Sequence, residues 1–313
     1  MGEGFRKMVF YLPRFWMRVR QFLLKHGKEY DVFHVCDFDT AVPALFIGKH
    51  PKIVYDIFDY YADSHIAPDW ISAIIRKAEN MVIRKSDVTI ICSEARKKQI
   101  FPAKVKQLVV IHNSPSSQIQ REDQQLNRDS QPMKCKLVFV GMLSEDRFLR
   151  EIAEVIRNRN DIELHIGGMG VLGEYFQSLS QTTENIFFYG KLSYPKALDL
   201  ENRCDIMTAI YDPKIPNHKY AAPNKFYEAL MLKKPLIMLK NTGMDNYVSQ
   251  YELGAVIDLE KVSFMEGFAE ALDTLVQHRD YWGVMGERGH KLYQQDFSWN
   301  EMEKRLLEAY ENL

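Results

Sequence analysis

Residues 221–239, AAPNKFYEALMLKKPLIML, read as a helix aimed at a ligand and followed at once by a buried strand. Pro223 suits the first turn of a helix, where its missing N–H costs nothing and its φ is already set. Phe226, Ala229, Leu230 and the stem of Lys233 recur at i, i+3, i+4 and i+7, a core-facing stripe. Lys225 and Glu228 sit three apart on a neighbouring face and could serve one site, with an ordinary surface Lys–Glu pair as the competing reading. Leu236-Ile237-Met238-Leu239, after Pro235, is the short apolar run of a parallel strand. A helix start with free N–H groups is a seat for phosphate, and a glutamate one turn further in can accept hydrogen bonds from sugar hydroxyls.

Working outward, the whole chain alternates strand and helix. Strands are expected at 32–36, 52–58, 88–92 and 108–111, then at 136–140, 162–166, 186–189, 206–210, 236–239 and 255–257. Helical periodicity falls at 40–48, from Pro68 past Val82, and at 150–158, 196–203, 264–278, 281–293 and 301–313. Such alternation implies parallel sheets covered on both faces. Between the two series, residues 114–134 (SPSSQIQREDQQLNRDSQPMK) are polar and lack apolar periodicity, as a linker or loop does. The organisation expected is a first α/β domain at 1–115, a linker at 116–134, a second α/β domain at 135–295, and a closing helix at 296–313.

Composition narrows the function classes. A formal net charge of -1 over 313 residues argues against a general nucleic-acid binder. Four cysteines, Cys36, Cys92, Cys135 and Cys204, form no CxxC pair, so a zinc site or disulfide framework is not expected and a reducing cytoplasm is the default. No apolar run approaches the ~18 residues of a spanning helix. The start is basic, however: Arg6, Lys7, Arg14, Arg18, Arg20, Lys25 and Lys28 stand against Glu3 before Glu29. Phe15, Val19, Phe22 and Leu23 share a helical face, and a basic helix of this kind can lie on an anionic membrane interface. A domain helix with an apolar inner side is the alternative reading.

Ligands of open parallel sheets bind outside the carboxyl ends of the strands, so the loops there carry the candidate chemistry. Gly141 follows KLVFV and lets backbone approach a phosphate, with Arg147 placed to pair with its charge. Gly167-Gly168-Met169-Gly170 follows ELHI but is no GxGxxG dinucleotide motif. Gly190-Lys191 follows IFFY. In the first domain, Asp37-Phe38-Asp39 ends a strand; two carboxylates without further oxygen ligands make a poor metal site. Asp59, just past KIVYDIF, is the better acid–base or acceptor-binding candidate.

Taken together, KLVFVGML, ELHIGGMG, IFFYGKL, DIMTAIYDP, PNKFYEALMLKKPLI and FSWNEMEKRLLEAYENL resemble the nucleotide-sugar half of a GT-B glycosyltransferase, closest to glycosyltransferase family 4. YDVFHVCDFDTAVPAL, KIVYDIFDYYADS, RKSDVTIICSE and VVIHN resemble the first half. The resemblance spans roughly residues 30–313. It implies two Rossmann-like domains facing a cleft, with a last helix crossing back to the first. It also implies Glu228 holding the ribose hydroxyls, the backbone at Asn224 and Lys225 facing the diphosphate, Gly141, Arg147 and Gly168 opposite, and Lys191 near the base. No metal and no cofactor are implied in the donor site.

Three departures from the family pattern stand out. Tyr220 takes the place of the first glutamate of the paired-glutamate motif, eight before Glu228. Met142 stands where an arginine is expected. The first domain is incomplete relative to the family: at about 30 residues per βαβ unit, roughly two units are missing before YDVFHV. The activity expected is transfer of a sugar from a UDP- or GDP-sugar to a glycan or lipid-linked acceptor, metal-free and with retention, at the cytoplasmic face of a membrane. A retaining enzyme would use Asp59 to position the acceptor hydroxyl; an inverting one would use it as general base. Alternatives are a nucleotide-sugar-binding subunit that needs a partner chain, and a GT-B nucleotide-sugar epimerase.

Overall fold

The computed structural model describes residues 3–47, 51–64, 68–116 and 134–313. The expected linker lies almost wholly outside the described residues. The chain forms two compact units, and each is described by itself. The first comprises residues 1–112, 215–222 and 302–313; the second comprises 113–214 and 223–301. The α/β class with parallel sheets, expected from the alternation, is what the structure shows.

Unit 1 carries β1 (Val32–Cys36), β2 (Lys52–Ile57), β3 (Val88–Ile91) and β4 (Leu108–Val110), all parallel in the order β1-β2-β3-β4. Its helices are α1 (Glu3–His26), α2 (Asp37–Leu45), α3 (Tyr61–Ser64), α4 (Asp69–Lys85) and α5 (Arg96–Ile100). Alternation along β2 divides the sheet between two cores. Ile53, Tyr55 and Ile57 face a core with Phe38, Ala41, Val82 and Ile83, while Val54 faces Val88, Ile90 and Ala309. Ala309 and the flanking Leu306 belong to the last helix of the chain, which covers that second face.

Within α1, Trp16 and Leu23 pack against the first of these cores, and Trp16 meets Phe38 edge-on at 6.5 Å. Phe15 and Phe22 are exposed, next to exposed Arg14, Arg18 and Lys25. The expected single apolar face carrying Phe15, Val19, Phe22 and Leu23 is therefore corrected. The inner stripe is half-buried Leu12, Trp16, Val19 and Leu23, and the two phenylalanines lie on the basic outer side. The i, i+4, i+7 spacing from Leu12 sets this division. Among the described residues no helix is long and apolar enough to cross a membrane.

Unit 2 carries β5 (Cys135–Met142), β6 (Ile162–Met169), β7 (Ile186–Phe188), β8 (Ile206–Ala209), β9 (Leu236–Leu239) and β10 (Gly254–Ile257). The strands are parallel in the order β10-β9-β8-β5-β6-β7, two halves that diverge from β5 and β8. This is the doubly wound order, with its topological switch point between β5 and β8. Helices α6 (Leu149–Ile156), α7 (Gly173–Thr182), α8 (Tyr194–Arg203), α9 (Asn224–Met231), α10 (Asp245–Gln250), α11 (Phe264–Gln277) and α12 (Trp282–Leu292) join and close the sheet. The chain ends with α13 (Trp299–Glu311), whose residues from Met302 onward belong to unit 1.

The opening stretch forms α9 and β9, with two corrections. Pro223, at φ -66 and ψ 132, caps the helix rather than entering it. The helix also stops at Met231, because Lys233 turns left-handed at φ 59. Lys233 thus leaves the core stripe, and its ammonium meets Glu287 at 2.6 Å on the surface. Phe226 and Tyr227 are fully buried against Phe297, with ring centroids 5.7 and 5.4 Å away. Burial of one such side chain contributes roughly 1.5–3 kcal/mol, so α9 is held rigidly beneath whatever its first turn binds.

Candidate functional site

The switch point gathers the features that could receive a charged ligand. Gly141 and Gly168 are register partners at the ends of β5 and β6. Gly168 adopts φ +141, and a Cβ there would lie 1.9 Å from the Gly141 carbonyl oxygen. Two strand ends can approach this closely only with glycine at this position. Gly190, at φ +62, accepts the Gly168 N–H at 2.7 Å, so three glycine turns are stitched along one sheet edge. Lys191 beside them is exposed.

Arg147 follows the β5 turn, and its guanidinium lies 3.5 Å from the ring centroid of Tyr211, in the loop after β8. The two loops on either side of the switch point are thus joined by a cation–π contact. Asp146 takes part of the Arg147 charge at 3.2 Å. Arg147 is held in place, and its planar stacked group is not replaceable by lysine.

Lys225 departs most from expectation. Its Nζ donates to Glu228 Oε2 at 2.6 Å and to Glu201 Oε1 at 2.7 Å. Glu228 and Glu201 are buried, 1% and 0% exposed. The pair of Lys225 and Glu228 is therefore neither a surface pair nor a free cation beside a free carboxylate. Burial works against the Lys225 charge, but the two carboxylates more than offset it and raise its pKa. Burial, and then the charge of Glu228, raises the pKa of Glu201 against the pull of Lys225. Glu201 Oε2 is buried with no hydrogen-bond partner. Burial, followed by the Glu228 charge, pushes up the phenol pKa of Tyr194 at the start of α8. Glu201 and Tyr194 lie too far from Glu228 in sequence to be linked with it by spacing. The third site residue of α9, Asn224, is exposed at its first position, where backbone N–H groups have no intrahelical partner.

In unit 1, Asp59 lies two residues beyond β2, and its side chain is 60% exposed. Its Oδ1 accepts from Asn217 Nδ2 at 2.7 Å and from Arg96 Nη2 at 3.3 Å. Arg96 is itself 2% exposed and donates to Gln99 at 2.9 Å, so one carboxylate oxygen is fixed from behind. Asp37 begins α2 rather than ending β1. Its carboxylate accepts the N–H groups of Phe58 at 2.9 Å and Asp59 at 3.2 Å, and so holds the turn that carries Asp59. Tyr220 closes the short 216–220 turn, within unit 1, where its carbonyl accepts from Ser93 at 3.3 Å.

Removing one partner of a buried ion pair leaves an uncompensated charge. Lys225→Met should therefore cost about 3–5 kcal/mol of stability in chemical unfolding. An unfolding curve unchanged from that of the parent protein would mean that Lys225 is an accessible cation instead.

With this geometry in hand, known proteins can be compared. Residues 134–278 match the family described as Glycosyl transferases group 1. No curated protein matches the chain in sequence. In structure, it is similar to sucrose-phosphate synthase from Thermosynechococcus elongatus, with TM-score 0.77, 14% identity, and coverage of 98% of this chain and 79% of that one. It is similar to Anabaena HepE in complex with UDP, with TM-score 0.72, 15% identity, and coverage of 94% and 82%. It is also similar to the catalytic domain of starch synthase IV from Arabidopsis thaliana bound to ADP and acarbose, with TM-score 0.67, 14% identity, and coverage of 96% and 77%. At such identities the likeness carries the fold, and the family match falls within unit 2 and its edges. The chain has the fold of GT-B glycosyltransferases, and its residues 134–278 match glycosyl transferases group 1.

Proposed function

We propose that this enzyme transfers a sugar from a UDP- or GDP-sugar to a hydroxyl of a glycan or lipid-linked acceptor, without a metal in the donor site and with retention. The observation that supports it most is the carboxyl edge of the unit 2 sheet, with the Gly141–Gly168 approach at the ends of β5 and β6 and the stacked Arg147 across the β5–β8 switch point. Backbone N–H groups reach a diphosphate where no side chain intervenes, and a fixed guanidinium meets the charge that grows as the sugar departs. Preorganised donors of this kind supply the largest share of stabilisation in such reactions. HepE complexed with UDP, a protein of the same fold, favours a nucleotide donor here.

Lys225 is assigned a different task from the one its sequence position first implies. It points the Glu228 carboxylate, and Glu228 holds the ribose. The diphosphate charge is met by Arg147 and by the N–H groups at Asn224 and Lys225. On the acceptor side, Asp59 offers Oδ2 while Arg96 and Asn217 hold Oδ1. With retention, a leaving phosphate oxygen takes the acceptor proton and Asp59 positions the hydroxyl.

Glu228→Gln should weaken nucleotide diphosphate binding by on the order of 1.5–3 kcal/mol, the worth of a hydrogen bond to a charged group, in a variant that still folds. Asp59→Asn should leave that affinity intact. Acceptor-dependent release of UDP or GDP should fall by roughly 10²–10⁴ in turnover if Asp59 takes the proton, and mainly through acceptor KM if it only positions. No release of UDP or GDP when acceptors are added would remove the transferase reading and leave the subunit alternative.

We further propose that the outer side of α1 rests on an anionic membrane, because exposed Phe15 and Phe22 alternate there with Arg14, Arg18 and Lys25. Sedimentation with anionic vesicles should show binding that salt weakens, at ~1 kcal/mol per basic residue near the surface. Replacing Arg14 and Arg18 with Gln should release the protein. No binding at low salt would leave α1 as a domain helix alone.

A further inference from the structure

The spacing of the cysteines gives no reason to expect a zinc site, yet strand pairing in unit 1 assembles potential ligands that linear spacing cannot show. His34 and Cys36 lie two apart on β1 and so point to the same side of the sheet. Asp56 on β2 is the register partner of Cys36. Among the described residues, His34, Cys36 and Asp56 are the group whose ligand atoms come together, all within 4.8 Å of one another. His34 Nε2 and Asp56 Oδ2 are already 3.2 Å apart, near the edge length of a small tetrahedral site.

The surroundings suit an ion as well. His34 Nδ1 is 2.6 Å from the Tyr310 hydroxyl, and the two rings stack with centroids 6.1 Å apart. With Nδ1 donating its proton to Tyr310, Nε2 presents a lone pair toward Cys36 and Asp56. Metal-binding histidines are held by this kind of outer hydrogen bond, which fixes both tautomer and ring orientation. The side chains of His34 and Asp56 are 30% and 19% exposed, so an ion can enter and water can complete its coordination. Cys36 is a free thiol.

We propose that His34, Cys36 and Asp56 bind one divalent zinc-class cation, with water in the fourth position. One imidazole nitrogen, one thiolate and one carboxylate form the mixed set that zinc accepts and that calcium and magnesium, which require oxygen ligands, do not. Binding displaces the Cys36 proton to solvent, and sulfur, nitrogen and oxygen each donate a lone pair. The ion joins β1 to β2 and, through Tyr310, reaches α13. It lies in the first unit, and no step of the proposed transfer passes through it.

Cobalt(II) is the probe of choice, because a thiolate ligand gives it a charge-transfer band in the near ultraviolet. The metal-free full chain should take up one equivalent of cobalt with that band, and zinc should displace it and raise the thermal midpoint. Cys36→Ser should remove the band while the other three cysteines remain, and His34→Gln should abolish stoichiometric binding. Tyr310→Phe should lower zinc affinity about 10–100-fold, the usual effect of losing an outer partner. The proposal is overturned if the parent protein competes for no zinc against a chelator of micromolar affinity. It is equally overturned if the cobalt band survives in Cys36→Ser. The first of these needs no variant, so a substitution that fails to fold cannot shield it.

Discussion

A lysine held between two buried glutamates governs how the proposed donor site is built. Bringing three charges out of water costs several kcal/mol per ion, and only close, well-aligned partners offset that cost. Lys225 meets Glu201 and Glu228 at 2.7 and 2.6 Å, which fastens α8 to the first turn of α9. The helix start beside the triad carries a partial positive charge. The unpartnered Glu201 oxygen shows that the arrangement is not the cheapest way to fill this space. On the proposed reading, the gain is an aimed carboxylate at Glu228.

The sheet edge nearby solves a different problem. A diphosphate is bulky and doubly charged, so it needs bare backbone and a fixed cation at the same place. Glycine at Gly168 lets two strand ends approach, and the hydrogen bond from its N–H to the Gly190 carbonyl keeps the turns from collapsing. Arg147 then spans the switch point by lying on Tyr211. The four strands of unit 1 run in sequential order, and among the described residues that sheet has no switch point. Its functional candidate, Asp59, is instead held on a turn by Asp37, Arg96 and Asn217.

Much of this was legible in the sequence. Every expected strand is present within a few residues of its expected bounds, because buried parallel strands are short unbroken apolar runs between turn residues. The short helices α3, α5 and α10 went unread, since a turn or two of helix gives too few positions for a period to show, and the ten-residue α7 went unread as well. Site residues within one element or one turn were readable; those joined across elements were not. Glu201 is 24 residues from Lys225, Asn217 is 158 from Asp59, and Tyr310 is 276 from His34. The faces of α1 show the same limit. Periodicity revealed an amphipathic helix, but which aromatic residues turn inward depends on where α2 lies.

Hydrogen exchange of the full chain, with and without saturating UDP or GDP, tests the central claim most directly. The account predicts slowed exchange at three places in unit 2: the amides that open α9 at Asn224 and Lys225, the turn after Gly168, and the segment from Gly141 to Arg147. Unit 1 should show no comparable change with nucleotide alone. If neither nucleotide slows exchange in those segments, or if protection appears only elsewhere, the donor site described here is contradicted.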